Sequence, residues 1–384
     1  MLKEINMYVF KRFQESRQDH KPVHDSDIQK WAVAKATEFP GFREKFTASR
    51  SWILKFKRKR RIRSRKITKL VKKRDNASQE LLLKRAEDFR KVIRDLEPTY
   101  EPSQIWNTDQ IGFQYEYMSQ RTLSFKGEKY TFGSAFSPKN KLTHSYTVQY
   151  IINANGEIVG DVFVCLQEPS GRLGDRVMDD IFVAPNLCVT CSVSGKLTST
   201  HVNYFIQKMI IPNLLERVLY TLDSWTGQKN EEVYYEALVD HDCDFTVKVI
   251  PPNTTALVQP LDCYFNLQLK YFVKKIYAYA NVNDRILYTR NDILKIQSLA
   301  HFQLKAECFR EMIKYSWYKS GLIENQRKYF RNVKDVCFNF SDKICQKCSD
   351  VPFIQCSWCG IVLCFPFFYD DFHMYECNAS PYLK

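Results

Sequence analysis

SYTVQYIINANGEIVGDVFVCLQE, residues 145–168, reads as two apolar strands folded back about Asn155-Gly156. An Asn-Gly pair between alternating apolar runs is a strong hairpin signal, because both residues tolerate the positive φ of a tight turn. IWNTDQIGF (105–113) precedes it as a third strand and LCVTCSVS (187–194) follows as a fourth. Then helices enter. LTSTHVNYFIQKMIIPNLLERV (197–218) has helical spacing and a cap near Thr198 or Ser199. RVLYTLD (217–223) and FTVKVIPP (245–252) are strands, the latter ended by two prolines. LDCYFNLQLKYFVKKIYAYA (261–280) is an amphipathic helix, and two more helices run to about residue 319. Antiparallel strands followed by alternating helices and strands predict a mixed α/β fold around one central sheet.

Three carboxylates stand on these elements or at their ends. Asp109 lies on the first strand, Asp223 closes RVLYTLD, and Asp262 opens the long helix after IPPNTTALVQPLD. A carboxylate at the end of an apolar strand is costly to bury alone. Three together repel one another and make sense around a cation. Mg²⁺ takes such oxygen ligands, and two metals can clamp the attacking and leaving oxygens of an in-line phosphoryl displacement. Asp179-Asp180 and the acids of VDHDCDF (Asp240, Asp242, Asp244) are rivals that read as loop or strand-entry carboxylates. Gln259, the prolines 251, 252 and 260, and the Trp225-Gly227 turn read as structural.

The net charge of +14 has one location: between Arg50 and Arg74 there are fourteen Lys or Arg and no acid, so the remainder sums to zero. That is the footprint of a polyanion-binding patch. Residues 1–75 read as helical and basic, with DSDIQKWAVAKATEF capped by Asp25 or Ser26 and FTASRSWILKFKRKR capped by Thr47. Two helices joined near Pro40-Gly41 predict a helix-turn-helix whose second helix puts Trp52, Ile53 and Phe56 inward. Ser49 and Arg50 then face base edges, while Lys55, Lys57, Arg58, Lys59, Arg60, Arg61, Arg63, Arg65 and Lys66 face DNA phosphates. Residues 76–100 predict a linker helix with Leu81, Leu82, Ala86, Phe89, Val92, Ile93 and Leu96 on one face.

Of thirteen cysteines, six are scattered from Cys165 to Cys308, and Cys188-x-x-Cys191 stands inside a strand; these read as reduced thiols. The other seven crowd between Cys337 and Cys377. CQKC (345–348) and CSWC (356–359), followed by Cys364, His373 and Cys377, have the spacing of tetrahedral Zn²⁺ ligands. Two arrangements are open: one site of Cys345, Cys348, Cys356 and Cys359, or two interleaved sites using all seven ligands. No apolar run reaches the roughly 18 residues of a membrane span. The charged start lacks the apolar core of a signal peptide. A soluble intracellular protein with no membrane partner is expected.

WNTDQIGF, the hairpin run, SGKLTSTHV, LDSWTGQ and IPPNTTALVQPLD resemble successive blocks of the pogo-type DNA transposases of the mariner superfamily, and FTASRSWILKFKRKR resembles the DNA-binding domain of centromere protein B and its transposase relatives. The resemblance implies an RNase H-like catalytic core over 101–325, after a helix-turn-helix domain (1–75) and before a cysteine-rich zinc domain (337–384). By matching blocks it implies Asp109, Asp223 and Asp262 as the catalytic, metal-binding triad, with 38 residues between the last two. Mg²⁺ or Mn²⁺ is the implied cofactor. The implied activity is cut-and-paste strand cleavage and transfer. The partners are transposon terminal repeats and target DNA, the assembly a homo-oligomeric synaptic complex, the location the nucleus. A decayed or domesticated copy acting only as a DNA-binding protein is the alternative. Two tandem helix-turn-helix units are usual in the family; one is evident here, so a first unit is expected to be missing. The tail resembles that of a nematode-type subgroup, which implies a further His near Phe367 or Phe368.

Overall fold

The computed structural model describes residues 1–18, 21–42, 45–64, 76–116, 145–324, 329–341 and 344–382, with backbone alone for 76–79. Two compact units divide at Lys84. No helix among the described residues is long and apolar enough to cross a membrane.

The first unit holds α1 (Leu2–Gln18), α2 (Asp25–Ala36) and α3 (Arg50–Lys59). Ile5 and Val9 of α1 close over Ile28, Ala32 and Ala36 of α2 and Ile53 and Phe56 of α3, so three helices share the core where two are expected. The helix starts also differ from expectation. His24, not Asp25 or Ser26, occupies the N-cap of α2, and its N–H donates to the Asp27 carboxylate at 2.8 Å. Ser49, not Thr47, caps α3 by accepting from the Trp52 N–H. The cap follows Ala48, buried at a positive φ of 47°, which turns the chain into the helix.

The helix α4 (Asn76–Leu96) leads into the second unit, where Ala86, Phe89 and Ile93 are buried. Arg90 donates to the carbonyls of Ser320 and Leu257, and Arg94 to that of Gly321. The apolar stripe is narrower than expected, since Leu81 and Val92 are exposed.

Six strands form the sheet: β1 (Ile105–Gln114), β2 (Ser145–Asn153), β3 (Val162–Gln167), β4 (Leu187–Ser192), β5 (Arg217–Leu222) and β6 (Asp244–Val249). Their order is β4-β3-β2-β1-β5-β6. The pairs β1–β2 and β2–β3 are antiparallel, while β1–β5, β5–β6 and β3–β4 are parallel. This is the mixed α/β, RNase H-like arrangement, with β4 added in parallel at one edge. The Asn155-Gly156 turn is where the hairpin signal put it. Gly156 has φ +88°, and a Cβ there would lie 2.3 Å from the Arg310 carbonyl oxygen, so only glycine fits.

Both sheet faces are covered. One carries α5 (Thr200–Phe205, continued by a π-helical turn to Ile210) and α6 (Glu232–Leu238). The other carries α7 (Asn266–Val282), α8 (Arg290–Leu304) and α9 (Arg310–Ser320). The cysteine-rich tail packs into this second core. Tyr279 of α7 stacks on Phe365 with centroids 4.5 Å apart, and Trp358 donates to the Phe302 carbonyl of α8 at 2.6 Å.

Candidate functional site

Strands β1 and β5 run side by side in parallel, with Ile105 opposite Leu219 and Asn107 opposite Thr221. Two residues beyond that last pair on each strand stand Asp109 and Asp223. The alternation of a strand puts Asp109 on the face of Ile105 and Asn107, and Asp223 on that of Leu219 and Thr221. Ile105 and Leu219 both belong to the core beneath α7. Asp262 comes from that side, in the π-helical turn Leu261–Phe265 that leads into α7. Asp109 is buried, Asp223 half-buried and Asp262 exposed, so the group opens outward from the sheet.

Two asparagines hold the carboxylates in place. Asn266, one helical turn after Asp262, donates through Nδ2 to Asp109 Oδ2 at 2.7 Å and to Asp262 Oδ1 at 3.1 Å. Asn107 donates to the Thr221 carbonyl at 3.1 Å and accepts from the Leu261 N–H at 3.2 Å, joining β1, β5 and the turn that bears Asp262. Gln259 is buried and donates to the Thr108 carbonyl at 3.1 Å, the structural role expected of it. Sequence reasoning missed both asparagines as site residues. Their signals were the two-residue offset from Asp109 and the four-residue offset from Asp262.

Burial pushes the Asp109 carboxyl well above its ordinary value, and the charge of Asp262, then that of Asp223, push it further. The amide of Asn266 and the Gln110 backbone oppose this. The acids therefore sense one another, and a cation would relieve them. Asn266 Oδ1 is a buried acceptor with no partner. These donors, all oxygen, fit Mg²⁺ or Mn²⁺.

After Asp223 the chain turns through Trp225 and Gly227. A Cβ on Gly227 would lie 2.2 Å from the Trp225 ring, so the indole lies against the glycine. Gln228 accepts through Oε1 from the Gln110 amide at 3.3 Å, and Trp225 and Gln228 line a small cleft with Gln149 and His201. Of the rival acids, Asp179 and Asp180 are exposed, and Asp244 pairs with Arg217 at the start of β6.

The tail ligands separate into two groups among the described residues: Cys356, Cys359, His373 and Cys377, and Cys345, Cys348 and Cys364. The two C-x-x-C knuckles thus fall in different groups, and a single site of Cys345, Cys348, Cys356 and Cys359 is not formed. Within each group all ligand atoms lie within 4.8 Å of one another. Cys356 and Cys377 sulfurs are 4.0 Å apart, and Cys348 and Cys364 sulfurs 3.6 Å. Two thiolates sharing a tetrahedral zinc at about 2.3 Å stand about 3.8 Å apart. A disulfide needs about 2.05 Å, and all thirteen cysteines are free. Hydrogen bonds from Cys359 and Cys377 hold the Cys356 thiol far below its ordinary range, while the same contacts push Cys377 up. Burial opposes charging of His373, yet hydrogen bonds to Cys356 and Cys359 raise it to about 9. Gln303 of α8 donates to Cys356 Sγ at 3.3 Å. The four-residue group has the donor set of a closed zinc site.

In the first unit, Arg50, Lys55, Arg58, Lys59, Arg61 and Arg63 are exposed. Other basic candidates have partners. Lys57 pairs with Asp25 at 2.8 Å, and Arg60 lies 4.3 Å above the Phe10 ring. Ser49 is exposed, but its hydroxyl serves as the cap. Arg65 and Lys66 lie outside the described residues.

No protein-family model matches the chain. Solved structures similar to it include the mariner Mos1 paired-end complex with Mg, at 11% identity and a TM-score of 0.39, covering 81% of this chain and 82% of that one. The Mos1 paired-end complex with Mn has the same identity, TM-score and coverage. The catalytic domain of Mos1 mariner transposase is similar at 9% identity and a TM-score of 0.29, over 69% of this chain and 100% of that one.

Proposed function

We propose that the chain is a metal-dependent DNA transposase of the pogo type that cleaves and joins DNA strands at Asp109, Asp223 and Asp262. The observation that carries this reading is the convergence of Asp109 and Asp262 on the amide of Asn266, beside the parallel strand that ends at Asp223. Mg²⁺ or Mn²⁺ held by the three carboxylates supplies Lewis acidity at a phosphodiester and a nucleophile at neutral pH. The chain's own residues do the rest. Asn107 and Asn266 fix the angle at which the carboxylates meet. Burial of Asp109 makes its charge depend on a bound cation.

The three-helix unit, with Arg50, Lys55 and Arg58 outward on α3, serves as the DNA anchor, and the basic run after it holds phosphates. On this reading the partners are transposon-end and target DNA, two or more copies act together, and the protein works in the nucleus. Both cysteine groups brace the helices that cover the sheet.

The test is strand cleavage. Purified protein is incubated with Mg²⁺ and a duplex bearing the inverted repeats that flank its gene, beside Asp223→Asn. Nicking by the parent and none by the variant is expected. Binding of the duplex with no cleavage by either protein overturns the enzymatic reading in favour of a DNA-binding remnant.

A further inference from the structure

Three short turns in the tail share one local geometry. In the turn of CQKC the Ser349 N–H donates to the Cys345 carbonyl at 2.8 Å, and in that of CSWC the Gly360 N–H donates to the Cys356 carbonyl at 2.9 Å. In that of CFPF the Phe368 N–H donates to the Cys364 carbonyl at 3.1 Å in the same way. Each turn starts with a thiol and offers a second side chain three residues on. In the first two that side chain is a thiol. In the third it is a phenyl ring, which cannot ligate a metal. The Phe367 ring instead lies 5.2 Å beneath the Lys347 ammonium, from within the first turn.

The consequence falls on one group alone. Cys356, Cys359, His373 and Cys377 supply four ligands, three of them buried. Cys345, Cys348 and Cys364 supply three, and no fourth Cys, His, Asp or Glu among the described residues joins them. Cys348 is also exposed, so this group meets solvent. Structural zinc sites are closed by four protein ligands, whereas a site with three keeps a position for exchange.

We propose that Cys345, Cys348 and Cys364 form a three-thiolate zinc site with an open fourth position at Phe367, so that the tail holds one permanent and one exchangeable zinc ion. Binding releases the thiol protons to solvent, and both ions interleave along the chain. The inference is independent of the DNA-cleaving reading, since it concerns the tail only.

The experiment uses the full chain purified with zinc. Metal analysis gives the stoichiometry, and a chromogenic chelator gives the release kinetics. Two zinc ions per chain are expected, leaving in two phases of one ion each, with the fast phase on the order of 10–100-fold quicker. Cys348→Ser, at an exposed position, removes the fast phase and leaves the slow one. Phe367→Cys and Phe367→His complete the site and merge the fast phase into the slow. Far-UV circular dichroism confirms that each variant is folded. A single slow phase of two ions in the parent overturns the proposal. So does one ion in the parent, whether Phe367→Cys then binds one or two.

Discussion

Asn266 Nδ2 lies 2.7 Å from Asp109 Oδ2, and the same amide nitrogen reaches Asp262 Oδ1 at 3.1 Å. One neutral donor thus stands between two carboxylates that otherwise repel. Removing it leaves the buried Asp109 without its side-chain donor, a loss of about 1–3 kcal/mol. Asn266→Ala is therefore expected to lower the thermal midpoint of the metal-free protein more at pH 8 than at pH 5. At the lower pH a carboxyl with a raised pKa carries less charge, so less is lost with the donor. Added Mn²⁺ should recover part of the deficit. Equal losses at both pH values would show that the amide serves packing alone.

Asp109 itself gives the second expectation. Its folded-state pKa is raised by burial, then by Asp262 and Asp223. A raised carboxyl favours the folded state fully below its unfolded value of about 3.9, and that advantage is lost as pH rises through the folded value. Asp109→Asn removes the titration. Without metal, the variant should gain on the parent steadily from acid to neutral pH, by about 2–4 °C in Tm for each ~1 kcal/mol relieved. Mg²⁺ should stabilise the parent and not the variant. A constant difference between the two across pH would contradict the electrostatic account.

Much of this was legible in the sequence because it rests on local signals. The Asn155-Gly156 turn fixes the hairpin, and apolar runs of the right length mark the strand that carries Asp109 and the strand that Asp223 follows. The meeting of those acids needed one further fact, that β5 pairs with β1 in parallel at equal register, and no local pattern states a pairing. The candidate metal ligands of the tail show the same limit. Spacing marks Cys345, Cys348, Cys356 and Cys359 as ligands, but which knuckle shares a metal with which is set by how the chain crosses itself. The helix α1, within a segment that reads as helical, was not picked out as a separate core element for another reason. Its apolar residues run together in INMYVF (5–10) without a clear helical period, and only packing against Ile28 and Ile53 picks out Ile5 and Val9 as the buried face.

The exposed cations of α3 divide by partner. Arg58 is exposed and Lys57 is held by Asp25 at 2.8 Å. If α3 anchors the chain on DNA, Arg58→Ala should weaken binding and reduce the slope of log K against log salt by about 1, as one lost phosphate contact does. Lys57→Ala should change the slope less, because its charge is already engaged. Fluorescence anisotropy over a salt series measures both. A larger slope change for Lys57→Ala would reverse the assignment.

The cysteine tail is built into the core that carries Asp262. Gln303 of α8 donates to Cys356 Sγ at 3.3 Å and accepts from the Ser357 N–H at 2.7 Å, while Tyr279 of α7 stacks on Phe365. Helix α7 therefore has the acid site at its first turn and the tail at its last. Zinc bound to Cys356, Cys359, His373 and Cys377 then stabilises more than the tail, since metal binding contributes folding free energy wherever the ligands are folded together. Removal of zinc by a strong chelator, or Cys377→Ser, is expected to lower the Tm of the whole second unit by at least about 5 °C, the change made by one to several kcal/mol. Hydrogen exchange should quicken in α7 and α8 as well as in residues 344–382. If only the tail amides lose protection while α7 and α8 keep theirs, the tail is an independent module and the coupling through Gln303 and Tyr279 is absent.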